Sequence, residues 1–162
     1  MKIIISLLLI IVLVSCGTST QKVSEKIIIT GQYTPEKWQK ECGWKDFSAA
    51  DFNPDNYFID EIANLTNHDD IKYLLFAGSW CGDSESEVPK ILKLLNLAKL
   101  QNNLTLIGLD RAKSEPGNSH LPHNIERIPT LIIIKKDYEI GRIIEFPKKS
   151  WELDIYEILI KH

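Results

Sequence analysis

The feature that most constrains the fold is an apolar run that passes directly into a helix through a cysteine-containing turn. Residues 73–77 read Tyr-Leu-Leu-Phe-Ala, without the alternation of a half-exposed strand, which predicts a strand buried on both faces. After the turn, apolar residues recur every three to four positions, which predicts an amphipathic helix with the stripe Val88, Ile91, Leu92, Leu95 and Ala98. Cys81 therefore lies between a buried strand and the N-terminus of a helix.

This position favours a reactive thiol. A helix N-terminus carries unpaired backbone N–H groups and the positive end of the helix dipole, and both stabilise the thiolate, which is the nucleophilic form of cysteine. Ser84 could add a hydroxyl donor or could simply cap the helix, and both readings stay open. Acidic side chains in the same turns, Asp83, Glu85 and Glu87, oppose the thiolate. We therefore predict that Cys81 is activated only in part.

The rest of the domain has the pattern of a mixed α/β sheet with helices on both faces. Apolar runs predict further strands at 27–29, 104–109, 131–134 and 140–146, of which the last two form a hairpin. Helix start signals begin at Thr34, Asn53 and Ser150. The first of the three predicted helices forms an N-terminal extension that ends near Cys42. The polar stretch 111–127 predicts a loop with room for a short helix. Residues 27–162 are therefore predicted to be one domain.

Three sequence features, taken together, resemble the thioredoxin fold. Thioredoxins place Trp-Cys-Gly after a strand, a proline eight residues beyond the cysteine, and an Ile-Pro-Thr segment with a cis-proline beside the thiol. This chain has Trp80-Cys81-Gly82, Pro89 and Ile128-Pro129-Thr130 in that order, and the resemblance covers about residues 60–162. It implies a catalytic role for Cys81 with Ser84, and a partner-binding groove formed by Trp80, Gly82, Asp83, Ile128, Pro129 and Thr130.

Two departures from that family concern one function. Ser84 replaces the second cysteine of the Cys-x-x-Cys motif, so Cys81 cannot release a mixed disulfide by attack from within its own motif. Leu75 stands six residues before Cys81, where ordinary thioredoxins keep a buried aspartate that serves the second thiol. The sequence thus resembles a divergent, single-cysteine group with a Trp-Cys-Gly-Asp-Ser motif.

Three functional hypotheses follow, and none of them requires a cofactor. In the first, Cys81 attacks disulfides or oxidised thiols of partner proteins as a monothiol redox protein. In the second, the cis-proline groove binds peptides without redox turnover, as an adaptor. In the third, Cys42 resolves the disulfide from a distance, although Cys42 beside Gly43-Trp44 also has the character of a buried structural thiol.

Two other classes of function are not predicted. The chain has 19 Lys+Arg against 22 Asp+Glu, a net charge of −3 and no basic block, so it lacks the charge pattern of nucleic-acid binding. His120 and His123 are spaced like a pair of metal ligands, but the sequence offers no third ligand at a suitable spacing, and no metal site is predicted.

The N-terminus predicts a lipid anchor. Lys2 precedes an apolar run from Ile3 to Val14, which is shorter than the roughly 20 residues of a transmembrane helix and is typical of a signal peptide. Residues 13–16, Leu-Val-Ser-Cys, resemble the bacterial lipobox, which implies cleavage after residue 15 and attachment of diacylglycerol and a further acyl chain such as palmitate at Cys16. Residues 16–26 would form a polar tether, and the domain would lie in the cell envelope, attached to a membrane.

Overall fold

One five-stranded mixed sheet organises the domain. The computed structural model describes residues 26–68 and 70–162, so the predicted signal peptide, Cys16 and most of the tether lie outside the described residues. The sheet order is β1-β3-β2-β4-β5. Strands β2 and β3 pair in parallel, whereas the other neighbouring pairs are antiparallel. The strands are β1 (Gly31–Tyr33), β2 (Ile71–Ala77), β3 (Leu104–Gly108), β4 (Thr130–Lys135) and β5 (Tyr138–Ile144).

Two helices begin at the predicted caps, Thr34 and Ser150, whereas the helix predicted to follow Asn53 begins only at Asn56. There the Asp55 carboxylate, and not Asn53, accepts a hydrogen bond from the first turn, from the Tyr57 N–H at 2.9 Å. The bounds of the helices are α1 (Pro35–Glu41), α2 (Asn56–His68), α3 (Gly82–Leu97) and α4 (Trp151–Leu159), with short 3₁₀ helices at Gln101–Asn103 and Leu121–His123. Thr34 Oγ1 accepts a hydrogen bond from the Lys37 N–H at 3.3 Å, and Ser150 Oγ accepts one from the Leu153 N–H at 3.3 Å. No helix in the described part of the chain is long and apolar enough to cross a bilayer.

The two faces of the sheet are covered differently. On one face, which we call the helical face, buried side chains from α1 to α4 pack on alternate strand residues in the larger apolar cluster, which includes Trp38, Ile62, Leu75, Ile91 and Ile155. On the other, the loop face, residues 109–128 cover a smaller cluster of Phe76, Ile107, Leu109, Ile125, Ile128 and Ile132. The predicted mixed α/β fold is confirmed. The α-helices expected on both faces of the sheet all pack on the helical face, and the other face is covered by a loop that contains one short 3₁₀ helix.

The predicted strand at 27–29 is wrong. The first strand begins at Gly31, and the isoleucines before it are outside the sheet. Their backbone groups are bonded to the side chain of Ser79, whose hydroxyl donates to the Ile27 carbonyl at 2.6 Å and accepts from the Ile29 N–H at 3.1 Å. A serine hydroxyl thus satisfies the groups that a strand would have paired with a neighbour.

Candidate functional site

Cys81 occupies the position expected from the sequence, as the N-cap residue of α3. Its backbone is extended, with φ −89° and ψ 128°, and its side chain is half-buried. The Cys81 N–H donates to the Gly78 carbonyl at 2.9 Å, which closes the turn after β2. The Sγ atom lies 3.6 Å from the carbonyl oxygen of Ile128, to which the thiol donates. The thiol is therefore fixed beside the 128–130 segment and stays accessible in part.

Hydrogen bonds hold the 128–130 segment, which lies next to the Cys81 sulfur. The Ile128-Pro129 peptide bond is cis, as the resemblance implied. Thr130 Oγ1 donates to the Arg127 carbonyl at 2.7 Å, and the Pro129 carbonyl accepts from the Glu145 N–H at 2.7 Å. These bonds fix the backbone before and after the cis bond.

Gly78 lets this segment approach the turn closely. A Cβ atom at Gly78 would lie 2.7 Å from Ile128 Cδ1 and 2.9 Å from Trp80 Nε1, distances that real Cβ atoms do not adopt. The Gly78 N–H donates to Ser84 Oγ at 3.2 Å, and the Ser84 side chain is fully buried. The Ser84 hydroxyl oxygen therefore braces the turn that carries Cys81.

Trp80 joins the turn to the loop face. Its indole N–H donates to the Leu109 carbonyl at 2.9 Å, and its half-buried side chain packs on the smaller apolar cluster. Two cations cover the ring: the Arg111 guanidinium lies 4.8 Å from a Trp80 ring centroid and Lys113 Nζ lies 6.0 Å away. The sequence patterns gave no sign of these two residues, because they lie in a loop with no motif.

The three acids near the thiol differ in their surroundings. Gly82 and Asp83 are exposed on the first turn of α3. Glu85 is paired with Lys26, with 2.8 Å between Oε2 and Nζ. The negative charge at Glu85 is therefore partly compensated, which the sequence did not predict.

Glu87 points away from the thiol into the packing between α3 and α4. Its carboxylate accepts from Lys90 Nζ at 2.6 Å, Trp151 Nε1 at 2.8 Å and Ser86 Oγ at 3.0 Å. Burial acts to raise the Glu87 pKa, but the hydrogen bonds from Lys90, Trp151 and Ser86 outweigh it and hold the pKa below the usual glutamate value. Glu87 is thus a structural anion and not the opponent of Cys81 that the sequence suggested.

Ser79 links the N-terminal segment to the site, and its role was missed at the sequence level. Besides the bonds of its hydroxyl to Ile27 and Ile29, its carbonyl accepts from the Trp44 indole N–H at 2.7 Å. The residue just before Trp80 therefore joins the chain entering the domain to the turn that carries the thiol. The only sign of this role in the sequence is a small polar residue directly before the Trp80-Cys81-Gly82 motif.

The other two cysteine-related predictions have clear structural settings. Cys42 is 2% exposed within the larger apolar cluster, and burial raises the pKa of its thiol. Cys42 and Cys81 are both free thiols. Leu75 is fully buried in the helical face, so an apolar side chain occupies the position of the family's buried acid.

The two histidines face different carboxylates. His120 Nδ1 lies 3.6 Å from Glu115 Oε1, and His123 Nδ1 lies 3.8 Å from Glu139 Oε2. Within residues 26–68 and 70–162, no group of three His, Cys, Asp or Glu residues is arranged to hold a metal ion.

Several solved structures resemble the chain at low identity. A Pseudomonas aeruginosa protein, described as a protein of unknown function, is 17% identical with a TM-score of 0.44 and covers 68% of this chain and 74% of its own. Oxidised mitochondrial thioredoxin 3 from Saccharomyces cerevisiae is 24% identical, with a TM-score of 0.35 over 52% of this chain and 74% of its own. Oxidised thioredoxin O2 from Arabidopsis thaliana is 21% identical, with a TM-score of 0.39 over 72% and 90%.

The family of the chain is shown by a comparison of its sequence with models of known families. No curated protein matches the chain. A family model described as thioredoxin matches residues 51–157, which include β2, the Cys81 turn, α3, the cis-proline segment and the hairpin. By this match the chain belongs to the thioredoxin family.

Proposed function

We propose that the chain is a membrane-anchored monothiol redox protein of the cell envelope, which acts through Cys81 on disulfides or oxidised thiols of partner proteins. The observation that carries this proposal is the placement of a half-exposed thiol at the N-terminus of α3, 3.6 Å from the Ile128 carbonyl and next to a cis-proline. Ser84, where a second thiol would stand, is fully buried and hydrogen-bonded. The motif offers one nucleophile.

The reaction is a thiol–disulfide exchange that stops halfway. The Cys81 thiolate attacks one sulfur of a partner disulfide, a new S–S bond forms, and the second partner sulfur leaves as a thiolate that takes a proton from water. With a partner sulfenic acid, the Cys81 thiol condenses and water leaves. Because Ser84 cannot attack the mixed disulfide, a thiol from outside the motif must release the partner. A long-lived mixed disulfide is therefore the expected intermediate.

Partner binding would use the surface on both sides of the sulfur. An extended partner segment can lie against Trp80 on one side and the Ile128-Pro129 backbone on the other, with Gly82 and Asp83 exposed at the rim. The bonds of Thr130 and Pro129 keep this backbone in one conformation before binding, which lowers the ordering cost of association.

The path of the chain supports action near a membrane. Lys26, the first described residue, is paired with Glu85 on the same helix that Cys81 caps. The ten residue steps between Cys16 and Lys26 span at most about 35 Å when fully extended. A lipid at Cys16 would therefore keep the thiol within a short distance of the membrane surface. Labelling of cells with palmitate tests the anchor, since Cys16→Ser should abolish incorporation and release the protein from membranes.

A trapping experiment tests the redox proposal. The full chain is incubated with bis(2-hydroxyethyl) disulfide, and the peptides that contain each cysteine are analysed by mass spectrometry. We expect a mixed disulfide on Cys81 that persists until an external thiol is added, and none in Cys81→Ser. Cys42→Ser is the matched control, and it should leave labelling at Cys81 and its lifetime unchanged, because Cys42 is buried.

Two outcomes would contradict the proposal. An unreactive Cys81, in a protein whose Cys81→Ser variant still binds its partners, would favour the adaptor hypothesis. A mixed disulfide that resolves without added thiol, and persists only in Cys42→Ser, would instead assign Cys42 as the resolving thiol.

A further inference from the structure

Two positive charges are held next to the reactive thiol by the residue before it. Arg111 and Lys113 both lie over the ring of Trp80, at 4.8 and 6.0 Å from ring centroids. The negative face of an aromatic ring attracts a cation at such distances, which favours this position for both side chains. A partner segment that reaches Cys81 along the face of Trp80 would therefore pass close to both cations.

Asp110 orders the loop that carries these two cations, and its carboxylate forms no ion pair with either of them. Asp110 accepts from the Ala112 and Ser114 N–H groups, both at 2.8 Å, and from Ser114 Oγ at 3.0 Å. These bonds fix the backbone on both sides of Arg111 and Lys113 and hold the Asp110 pKa below its usual value. The carboxylate is thus engaged inside the turn.

Neither cation has an anionic partner in the part of the chain that the structure describes. Ion pairs at 4.0 Å or less engage Lys26, Lys72, Lys90 and Lys149, among others, but not Arg111 or Lys113. The chain as a whole is acidic, with a net charge of −3. Two cations without an acidic partner, placed on the residue before a reactive cysteine, are therefore available to an external anion.

We propose that Arg111 and Lys113, on the face of Trp80, select protein partners that carry carboxylate side chains beside the cysteine that Cys81 attacks. The inference rests on the proposed function and adds to it the chemistry of the partner. The cations would raise the local concentration of an acidic segment and stabilise it in the bound state, whereas a basic segment would be repelled. Asp83 is exposed on the first turn of α3 and limits the preference.

Three small disulfides that differ in charge test this selection on the full chain. The probes are the anionic 3,3′-dithiodipropionate, the neutral bis(2-hydroxyethyl) disulfide and the cationic cystamine, and the rate of labelling is read from the Cys81 peptide. Each rate is divided by the rate of the same probe with a neutral model thiol, N-acetylcysteine amide, because the three disulfides differ in the acidity of their leaving thiols. At low ionic strength we expect this normalised rate to be on the order of tenfold higher for the anionic probe than for the cationic one. In about 1 M salt, where the Debye length is about 3 Å, the ratio should approach one.

Charge-removing variants assign the effect to the two residues. Arg111→Gln with Lys113→Gln should bring the anionic-to-cationic ratio of normalised rates close to one. A change in the rate of the neutral probe reports the thiol itself and applies to all three probes, so it does not affect this ratio. Lys37→Gln is the matched control, because Lys37 also lies over an aromatic ring, that of Tyr33 at 5.0 Å, and not over Trp80. This variant should keep the ratio of the unmodified protein.

The outcomes separate the two proposals. Equal normalised rates for the three probes in the unmodified protein, or a ratio that the double variant leaves unchanged, would overturn the selection while the redox function stands. Failure of all three probes to label Cys81 would overturn both. If the double variant does not fold, the salt dependence of the unmodified protein still decides, since a ratio that does not respond to salt contradicts the inference.

Discussion

The two faces of the sheet are built in different ways. On the helical face, four α-helices bury a large apolar cluster, and their side chains interdigitate with alternate residues of the strands. On the loop face, residues 109–128 supply only Leu109, Ile125 and Ile128 to the smaller cluster, and much of the loop is shaped by hydrogen bonds to Asp110 and Glu115. Apolar burial dominates the first face, whereas polar bonds within a loop shape the second.

The candidate site belongs to the loop face. Trp80 and Cys81 both pack against the smaller cluster, and Ile128 is one of its members. The helix that Cys81 caps is nevertheless rooted in the helical face through Val88, Ile91 and Leu95. Cys81 thus begins a helix that packs on the helical face, whereas its thiol lies against the cluster of the loop face.

The largest expected effect is on stability, and it is measured by making the same substitution, isoleucine to alanine, on each face of the sheet. Ile91→Ala removes a fully buried side chain from the helical face and should lower the free energy of unfolding by about 2–5 kcal/mol. Ile125→Ala, on a side chain 9% exposed on the loop face, should cost about 2 kcal/mol or less, because the loop can move into the space. Urea unfolding of the two variants measures both values.

The two isoleucine substitutions should affect the reactivity of Cys81 in the opposite order, with the larger effect from the loop face. Ile125 belongs to the cluster on which Cys81 packs, so Ile125→Ala should change the labelling rate of Cys81 in the folded protein. Ile91→Ala should leave that rate unchanged. Equal losses of stability, together with equal effects on labelling, would mean that the two faces do not differ in the way described.

A smaller effect is expected from the buried carboxylate of the helical face. Glu87→Gln keeps the size of the side chain but removes the charge that Lys90 and Trp151 bind, and should cost about 1–3 kcal/mol near neutral pH. Because the Glu87 pKa is lowered by folding, its contribution is complete above the unfolded-state pKa and is lost as the pH falls through the folded-state pKa. Thermal unfolding from neutral to acidic pH should show the variant and the unmodified protein converging. A difference that stays constant with pH would contradict the assignment.

Most of the fold could be predicted from the sequence because its signals are local. The apolar stripe of α3, the caps at Thr34 and Ser150 and the hairpin of β4 and β5 all follow from spacing and turn chemistry, and the structure confirms them. The segment 27–29 was mispredicted because its β-forming residues are held by Ser79, fifty residues away in the chain. Propensity gives no information on such a distant partner.

Only the central residues of the site could be predicted, and not the charges that surround them. The positions of Cys81 and Pro129 follow from the motifs, and the structure brings them together. The charges around the thiol could not be predicted, since the pairing of Glu85 with Lys26 and the stacking of Arg111 on Trp80 join residues remote in sequence. The loop face, with little periodicity, carries most of what was missed.

The smallest and most local effect is expected at Glu115, the buried carboxylate of the loop face. It accepts hydrogen bonds from the Gly117 and Ser119 N–H groups and from Ser119 Oγ, and it faces His120. Burial acts to raise the Glu115 pKa, but the bonds from Ser119 and Gly117 outweigh it and hold the pKa below the usual value. The bonds are therefore strongest in the ionised state and weaken as the pH falls through the lowered pKa.

Glu115→Gln should loosen this loop without unfolding the domain. Amide hydrogen exchange at Gly117 and Ser119 should accelerate on the order of tenfold near neutral pH, because two charge-assisted bonds become neutral, while exchange in α3 stays unchanged. Unmodified protein at acidic pH should show the same local loosening once exchange rates are corrected for pH. If exchange accelerated equally in the loop and in α3, the loop would be part of the cooperative core, and the contrast between the two faces would not hold.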